Sequence, residues 1–488
     1  GTRYLTQIPD IGVENLEHIS NGEVKALLST INTSKRTDSD NWPAWVSKAS
    51  HEDLCIPVAD IFNCMLVTNH YPNVWKSAEI RPLKKVKNPE TPKDYRPISL
   101  LHHLGKLGES VILQRLKMKI EAKLRKNQFA YQQSLSTTDA LTSIIHDWCV
   151  ELDSLNTSHV TAVLIDMSKA FDKMDPNKLL IKLKSLGTND GLLNLINDFL
   201  TDRECCVKMG EKSEYKPITM GAPQGTRLGP WLWLAYIDDL TADFKMVKYA
   251  DDVTLYAPFK KTSRSTQDFQ TSLDNISSWA ETNNMIINAQ KTQQIQVTLS
   301  EPKYETALQM NGVIVNTTDT VKLLGITIDQ RLTFSEHVDN LCEAMETRLY
   351  GMRSLKRLGL NKTGLVRYYT TNIRTALTYA CQAWTPLLSD ILTNKIIQVE
   401  RKALRVIYPD LSYTDAITEC AIPSLAIFVQ KQCIHYVGKI FNNPNHPLNH
   451  LITKNTGRST RVSRATRMPR CRTSKLKSSF FYQYSNFL

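Results

Sequence analysis

Two apolar, strand-like runs in this chain carry acids for which a β-strand has no simple place. Residues 160–167, VTAVLIDM, read as a buried strand rich in β-branched residues, with Asp166 near its end. Residues 246–257 read as two strands with Asp251 and Asp252 side by side between them. Neighbouring side chains of a strand point to opposite faces. Adjacent acids in KYADDVTLYA therefore mean either one buried carboxylate or a turn that aims the pair at something. A charge closing an apolar strand is costly unless it meets a partner or a metal. Acids at a strand end and a hairpin tip suit hard cations, because Mg²⁺ takes oxygen ligands and keeps positions for water and phosphate. Any one of the three alone reads as a polar turn or a helix cap. Together, in this order, they read as a site.

The rest of the pattern is mixed helix and strand to about residue 330 and almost wholly helical after 335. Helices are expected at 22–31, 53–72, 106–126, 136–152, 176–201, 228–243 and 265–284, then at 335–357, 364–386, 390–408 and 424–441. Residues 76–101 look like two short strands joined by a basic loop. ECCVKMG, EYKPITMG and QQIQVTL suggest further strands. Asp238 and Asp239 look like a decoy pair at a helix end. No run of 18 or more apolar residues marks a membrane span. The first residue is Gly rather than Met, so a processed or partial chain is expected. Ten scattered cysteines without a CxxC pair read as reduced thiols of an intracellular protein. The spacing of Cys433, His435, His446 and His450 fits no zinc finger, and these read as loop and core residues.

Charge is uneven. Nine Lys/Arg between Lys454 and Lys477, with no acid from 451 to 488, account for most of the net charge of +12. Such a basic tail suits phosphate contact, or else remains a solvated end; Phe480, Phe481 and Tyr482 argue against full disorder.

LIDMSKAFDKMD (164–175), MGAPQGTRLGPWLWLAYIDDL (220–240) and KYADDVTLYA (248–257) resemble consecutive core motifs of reverse transcriptases, in particular those of non-LTR, LINE-type retrotransposons of the jockey-like group. The stretch 75–112 resembles that group's finger motifs. WAETNNMIINAQKTQ and VKLLGITIDQRLTFSEHV resemble its later palm and primer-grip motifs, and ALTYACQAW the helical stretch beyond. The resemblance implies an α+β right-hand polymerase with fingers, a palm sheet and a helical thumb, plus a basic C-terminal tail. The expected boundaries are an N-terminal helical extension (1–75), fingers (76–155), palm (156–330), thumb (331–441) and basic tail (442–488).

By position, the resemblance makes Asp166, Asp251 and Asp252 the metal-binding, catalytic carboxylates, with Asp251 the more direct second ligand. Phe171 becomes the ring that leaves no room for a 2′-hydroxyl. Gln224 stands beside the incoming nucleotide, with Gly221 and Gly225 allowing close backbone approach to substrate. Lys85 and Arg96 become the cationic clamp on the triphosphate, and Lys291 the proton donor to pyrophosphate. Leu324 and Gly325 fall in the primer-grip turn, and Tyr249 either supports the primer end or packs in its strand. In QFAYQQSLSTTDAL (128–141), the template-contacting stretch, Ala130 replaces the usual Gly and Gln132 the usual Arg.

The implied activity is RNA-directed DNA polymerisation for a mobile element. It extends a 3′-hydroxyl primer on an RNA template with two Mg²⁺ ions (Mn²⁺ as substitute) and deoxynucleoside triphosphates. Template RNA and primer or target DNA are the expected partners, without membrane, and the nucleus is the expected compartment. An endonuclease is expected on the part of such a protein not included here. An RNA-dependent RNA polymerase shares the palm logic, but Phe171 argues against it. A non-catalytic RNA-binding protein on a decayed or co-opted scaffold is the alternative from another class.

Overall fold

The computed structural model describes residues 16–33, 43–168, 170–260, 265–300, 307–452 and 470–488. The chain forms two compact units. One comprises 1–125, 167–241 and 278–287, the other 126–166, 242–277 and 288–488. The stretch 156–330 thus contributes to both.

In the first unit, the expected strand pair is Ser77–Lys84 and Tyr95–Leu100, antiparallel, with Ser77–Lys84 also parallel to Arg203–Met209. Lys216–Ile218 closes the other side of Arg203–Met209. The single helix expected over 176–201 is two, Pro176–Ser185 and Asp190–Leu200. Gly187, at φ +86°, ends the first, and the Asn189 side chain caps the second by accepting from the Leu192 N–H. The helix Gly229–Ile237 is buried almost throughout. It stops at Asp238, whose carboxylate accepts from the Arg125 N–H at 2.8 Å, while Asp239 binds Lys182 Nζ (2.7 Å) and Trp279 Nε1 (3.0 Å). Both acids have structural partners.

In the second unit, strands run in the order Asn316–Thr317, Gln293–Val297, Thr157–Ser168, Asp252–Lys260, Lys245–Tyr249. Thr157–Ser168 has neighbours on both sides, which is why Val160, Ala162 and Val163 are fully buried. The helix Thr137–Asp153 opens with a capping box: Ser136 N–H and Oγ both donate to Asp139 Oδ2, at 2.8 and 2.7 Å. Ser335–Arg357, Asp390–Ile407 and Leu425–Asn442 match expectation. The helix expected over 364–386 is interrupted by a wider turn at Tyr369–Arg374 and by Ala380 at φ +46°. The wider turn brings the Tyr369 hydroxyl and the Arg374 guanidinium to Oε1 of the fully buried Glu400, at 2.7 and 2.8 Å. Local periodicity has no means of registering that charge pair.

Of the expected basic tail, residues 453–469 lie outside the described residues. The remainder is not a separate solvated feature. Arg472 Nε and Nη2 donate to the carbonyls of Asp153 and Leu152, and Lys475 Nζ to that of Leu332 at 2.8 Å. Phe480 and Phe481 are buried in the same core as the helix Thr137–Asp153. Cys433 is buried, and His446 Nε2 lies 3.1 Å from Asp139 Oδ1.

Candidate active site

Pairing between the strands at the centre of the second unit sets the position of the acids. Asp166 and Asp252 are register partners in Thr157–Ser168 and Asp252–Lys260, and Tyr249 is in turn the partner of Asp252. Opposed residues share a face, with Cβ atoms roughly 4.5–5.5 Å apart. Two like charges are thereby placed side by side. Asp251 occupies the two-residue turn between Tyr249 and Asp252, together with Ala250. Asp166 therefore stands across from Asp252 in the strand register, because the turn leaves no extra residue to shift it, and Asp251 adjoins the pair from the turn. The crowding shows in the proton affinity of Asp252. Partial burial, then the charges of Asp251 and Asp166, push its carboxyl up to about 6, although the residue keeps solvent access. Tyr131 flanks the turn: burial and the Asp251 charge raise its phenol.

Among the described residues, no three His, Cys, Asp or Glu side chains already close around a common point. The donor set here is all carboxylate, open to solvent and mutually repelling. It fits a hard divalent cation that retains water or phosphate ligands. Asp166, Asp252 and Asp251 are the residues that would hold it.

Lys291 lies exposed in the turn 288–292, which is tied to the backbone of Asp166. The Asn288 N–H donates to the Asp166 carbonyl at 2.9 Å, and the Lys291 N–H to Asn288 Oδ1 at 3.2 Å. Leu324 and Gly325 form a two-residue turn between Thr320–Leu323 and Ile326–Asp329, with φ of 46° and 88°. The Tyr379 hydroxyl donates to the Leu324 carbonyl at 2.9 Å and lies 2.9 Å from Thr137 Oγ1. A Cβ on Gly325 would come within 3.3 Å of the Tyr379 ring. Burial, with Tyr379 and Asp139 adding, raises the phenol of Tyr249, which packs against the core of this unit.

The remaining candidates lie in the first unit. Arg96 faces Leu83 across the strand pair, and strand alternation gives Arg81 and Leu83 the same face as Arg96. Lys85 follows the strand, its Nζ donating to the Lys93 carbonyl at 3.3 Å. Lys84 falls on the other face, with Tyr95. Phe171 packs at a tilt on Trp233, centroids 5.5 Å apart. Gln224 Nε2 donates to Asp172 Oδ1 at 3.3 Å, and the Gln224 carbonyl accepts from the Ser99 N–H at 2.9 Å. Gly221 and Gly225 also let the loop approach protein backbone closely. A Cβ at Gly221 would lie 2.5 Å from the Phe171 carbonyl oxygen, and one at Gly225 2.9 Å from that of Ser99. The loop 221–225 is thus pressed between the 171–174 turn and the strand Tyr95–Leu100.

Sequence reasoning missed the partners of the two turns. Tyr379 had been read only as part of a helical stretch, and Gln128 only as part of a template-contacting one.

The reverse transcriptase (RNA-dependent DNA polymerase) family profile matches residues 83–328, a span that includes all three acids. The chain belongs to this family. The RNA-directed DNA polymerase from mobile element jockey of Drosophila melanogaster is 31% identical over 432 residues, 83% of this chain and 46% of that protein. The probable RNA-directed DNA polymerase from transposon BS of the same species is 28% identical over 404 residues, covering 79% and 44%. The jockey protein of Drosophila funebris is 27% identical over 443 residues, covering 87% and 48%. These relatives place the reverse transcriptase in the jockey-like, non-LTR group. It spans about half the length of the curated relatives it matches.

Proposed function

We propose that this reverse transcriptase is an RNA-directed DNA polymerase of a mobile element, extending a 3′-hydroxyl primer on an RNA template with deoxynucleoside triphosphates. The observation that carries the reading is the Asp166–Asp252 register pair with Asp251 in the adjoining turn. Within this family, that acid set accounts for a repulsion a merely structural cluster would relieve. Two Mg²⁺ ions bound there would activate the primer 3′-oxygen and offset charge on the departing pyrophosphate. The chain's own residues take the other roles. Arg96 and Lys85 bind the triphosphate, Gln224 orients the nucleotide, and Phe171 excludes a 2′-hydroxyl. Lys291 carries a proton to pyrophosphate, and Leu324 and Gly325 hold the primer end. A right-hand arrangement of fingers, palm and thumb, and work in the nucleus, belong to the same proposal.

Primer extension on an RNA template tests it. Wild type should incorporate deoxynucleotides and Asp251→Ala should not. Phe171→Val should admit ribonucleotides roughly 10²-fold better relative to deoxynucleotides, the scale on which a site rejects one misfitted hydroxyl. Equal, blank results from wild type and Asp251→Ala under Mg²⁺ and Mn²⁺ would favour a non-catalytic RNA-binding role.

A further inference from the structure

The turn that carries Asp251 is strained. Ala250 sits at φ +56° at the first position of a two-residue loop, and Asp251 does not share the positive φ. That pattern matches a II′ turn, whose first position favours glycine. A non-glycine residue there is strained and persists only where its surroundings over-determine it. What over-determines it lies 122 residues away in sequence.

Residues 127–129 run along the outer edge of Lys245–Tyr249. The Lys248 N–H donates to the Asn127 carbonyl at 2.8 Å, and the Phe129 N–H to the Lys248 carbonyl at 2.9 Å. That registration delivers the side chain of Gln128, only 3% exposed, to the hairpin tip. Gln128 Oε1 accepts from the Ala250 N–H at 3.1 Å, and Nε2 donates to the Ala250 carbonyl at 3.4 Å. The same Oε1 accepts from the Ala130 N–H at 3.0 Å. A carboxamide has the donor and acceptor of a peptide group. Gln128 therefore acts as one more rung of the ladder, beyond the point where the strand's own backbone turns away.

We propose that Gln128 is a positioning residue of the polymerase reaction: it clamps both polar groups of Ala250 and so fixes where Asp251 and Asp252 stand. This rests on the metal-dependent reading above. Methionine at 128 would keep most of the volume and lose both bonds. Asparagine would keep the amide but fall one methylene short. Either leaves the carboxylates in place and their support loosened.

The test compares wild type, Gln128→Met and Gln128→Asn in three measurements. These are Mn²⁺ binding to the free protein by loss of the free-ion EPR signal, single-nucleotide incorporation kinetics, and thermal melting. The expected result is a Mn²⁺ Kd raised about tenfold and kcat lowered about 10–100-fold, with KM for primer–template within about twofold, since small misplacements of reacting groups cost up to about 10²-fold. Gln128→Asn carries the comparison if Gln128→Met does not fold. Wild-type Mn²⁺ affinity and kcat in the folded variants would overturn the proposal. So would a rise in primer–template KM alone, which would make Gln128 a template contact. If wild type itself binds no Mn²⁺ and Asp251→Ala behaves identically, the metal reading falls and takes this inference with it.

Discussion

The turn at Ala250–Asp251 and the turn at Leu324–Gly325 belong to the same unit, and each starts on a non-glycine residue at positive φ. Their supports differ. Ala250 is held on both its N–H and its carbonyl by a buried carboxamide. Leu324 is held on its carbonyl alone, by the phenol of Tyr379, a residue 41% exposed. Breaking the first leaves buried polar groups unpaired, about 1–3 kcal/mol each, whereas water can replace the second at a net cost of about 0.5–1.5 kcal/mol. On the proposed roles, a turn that sets carboxylates would need a fixed geometry, and a turn that touches a moving primer would need only to be held loosely. The segment 127–139 serves both, through Gln128 and through Thr137, which meets the Tyr379 hydroxyl.

The largest expected contrast is chemical. Asp252→Asn should lower kcat by about 10³-fold, the scale for removing a group that stabilises charge in the transition state. Gly325→Ala should leave kcat within about twofold and raise the primer KM roughly fivefold to tenfold, because alanine is strained at φ +88° and its Cβ crowds the Tyr379 ring. Parallel losses of kcat in both would erase the distinction between the turns. Tyr379→Phe should act more gently, raising primer KM about two- to fivefold at unchanged kcat in steady-state extension.

Proton linkage sharpens the comparison further. In the metal-free protein the Asp252 carboxyl is protonated below about 6, and a cation must displace that proton. Mn²⁺ affinity should therefore fall as pH drops through about 6, and Asp251→Asn should move that midpoint downward by removing one of the two neighbouring charges.

The smallest effect concerns the segment beneath both turns. Burial would raise the Asp139 carboxyl, but hydrogen bonds from His446, Ser136 and Tyr436 outweigh it and hold the group below the ordinary carboxylate range. Its folded-state value is thus lower than the unfolded one. The stability it contributes is present above about pH 4, the unfolded value, and is lost as pH falls through the depressed folded value. Urea midpoints at pH 7 and pH 3 should converge in Asp139→Asn relative to wild type, without altering the ratio of the two turn phenotypes.

The strand carrying Asp166 and the hairpin carrying Asp251 and Asp252 were legible because apolar period and β-branching are local properties, although Asp252 opens the second strand while only Asp251 lies in the turn. The helices over 335–357, 390–408 and 424–441 were legible for the same reason. The breaks near Gly187 and Ala380 were not: a cap and a buried Arg374–Glu400 pair ended helices whose apolar period alone would have continued. Gly221 and Gly225 were read only as room for substrate; that their missing Cβ atoms also make room for the backbone of Phe171, Asp172 and Ser99 was not legible.

Sequence alone determined the family of this reverse transcriptase, its candidate acids and the hairpin that holds two of them. Tertiary structure alone decided that Asp252, not Asp251, stands opposite Asp166, and that Gln128 and Tyr379 brace the two strained turns. The physical reason is range. Which face a side chain takes follows from a period of two along its own strand. Which residue it meets depends on pairing and hydrogen bonds between segments far apart in the chain, and those leave no mark on local composition.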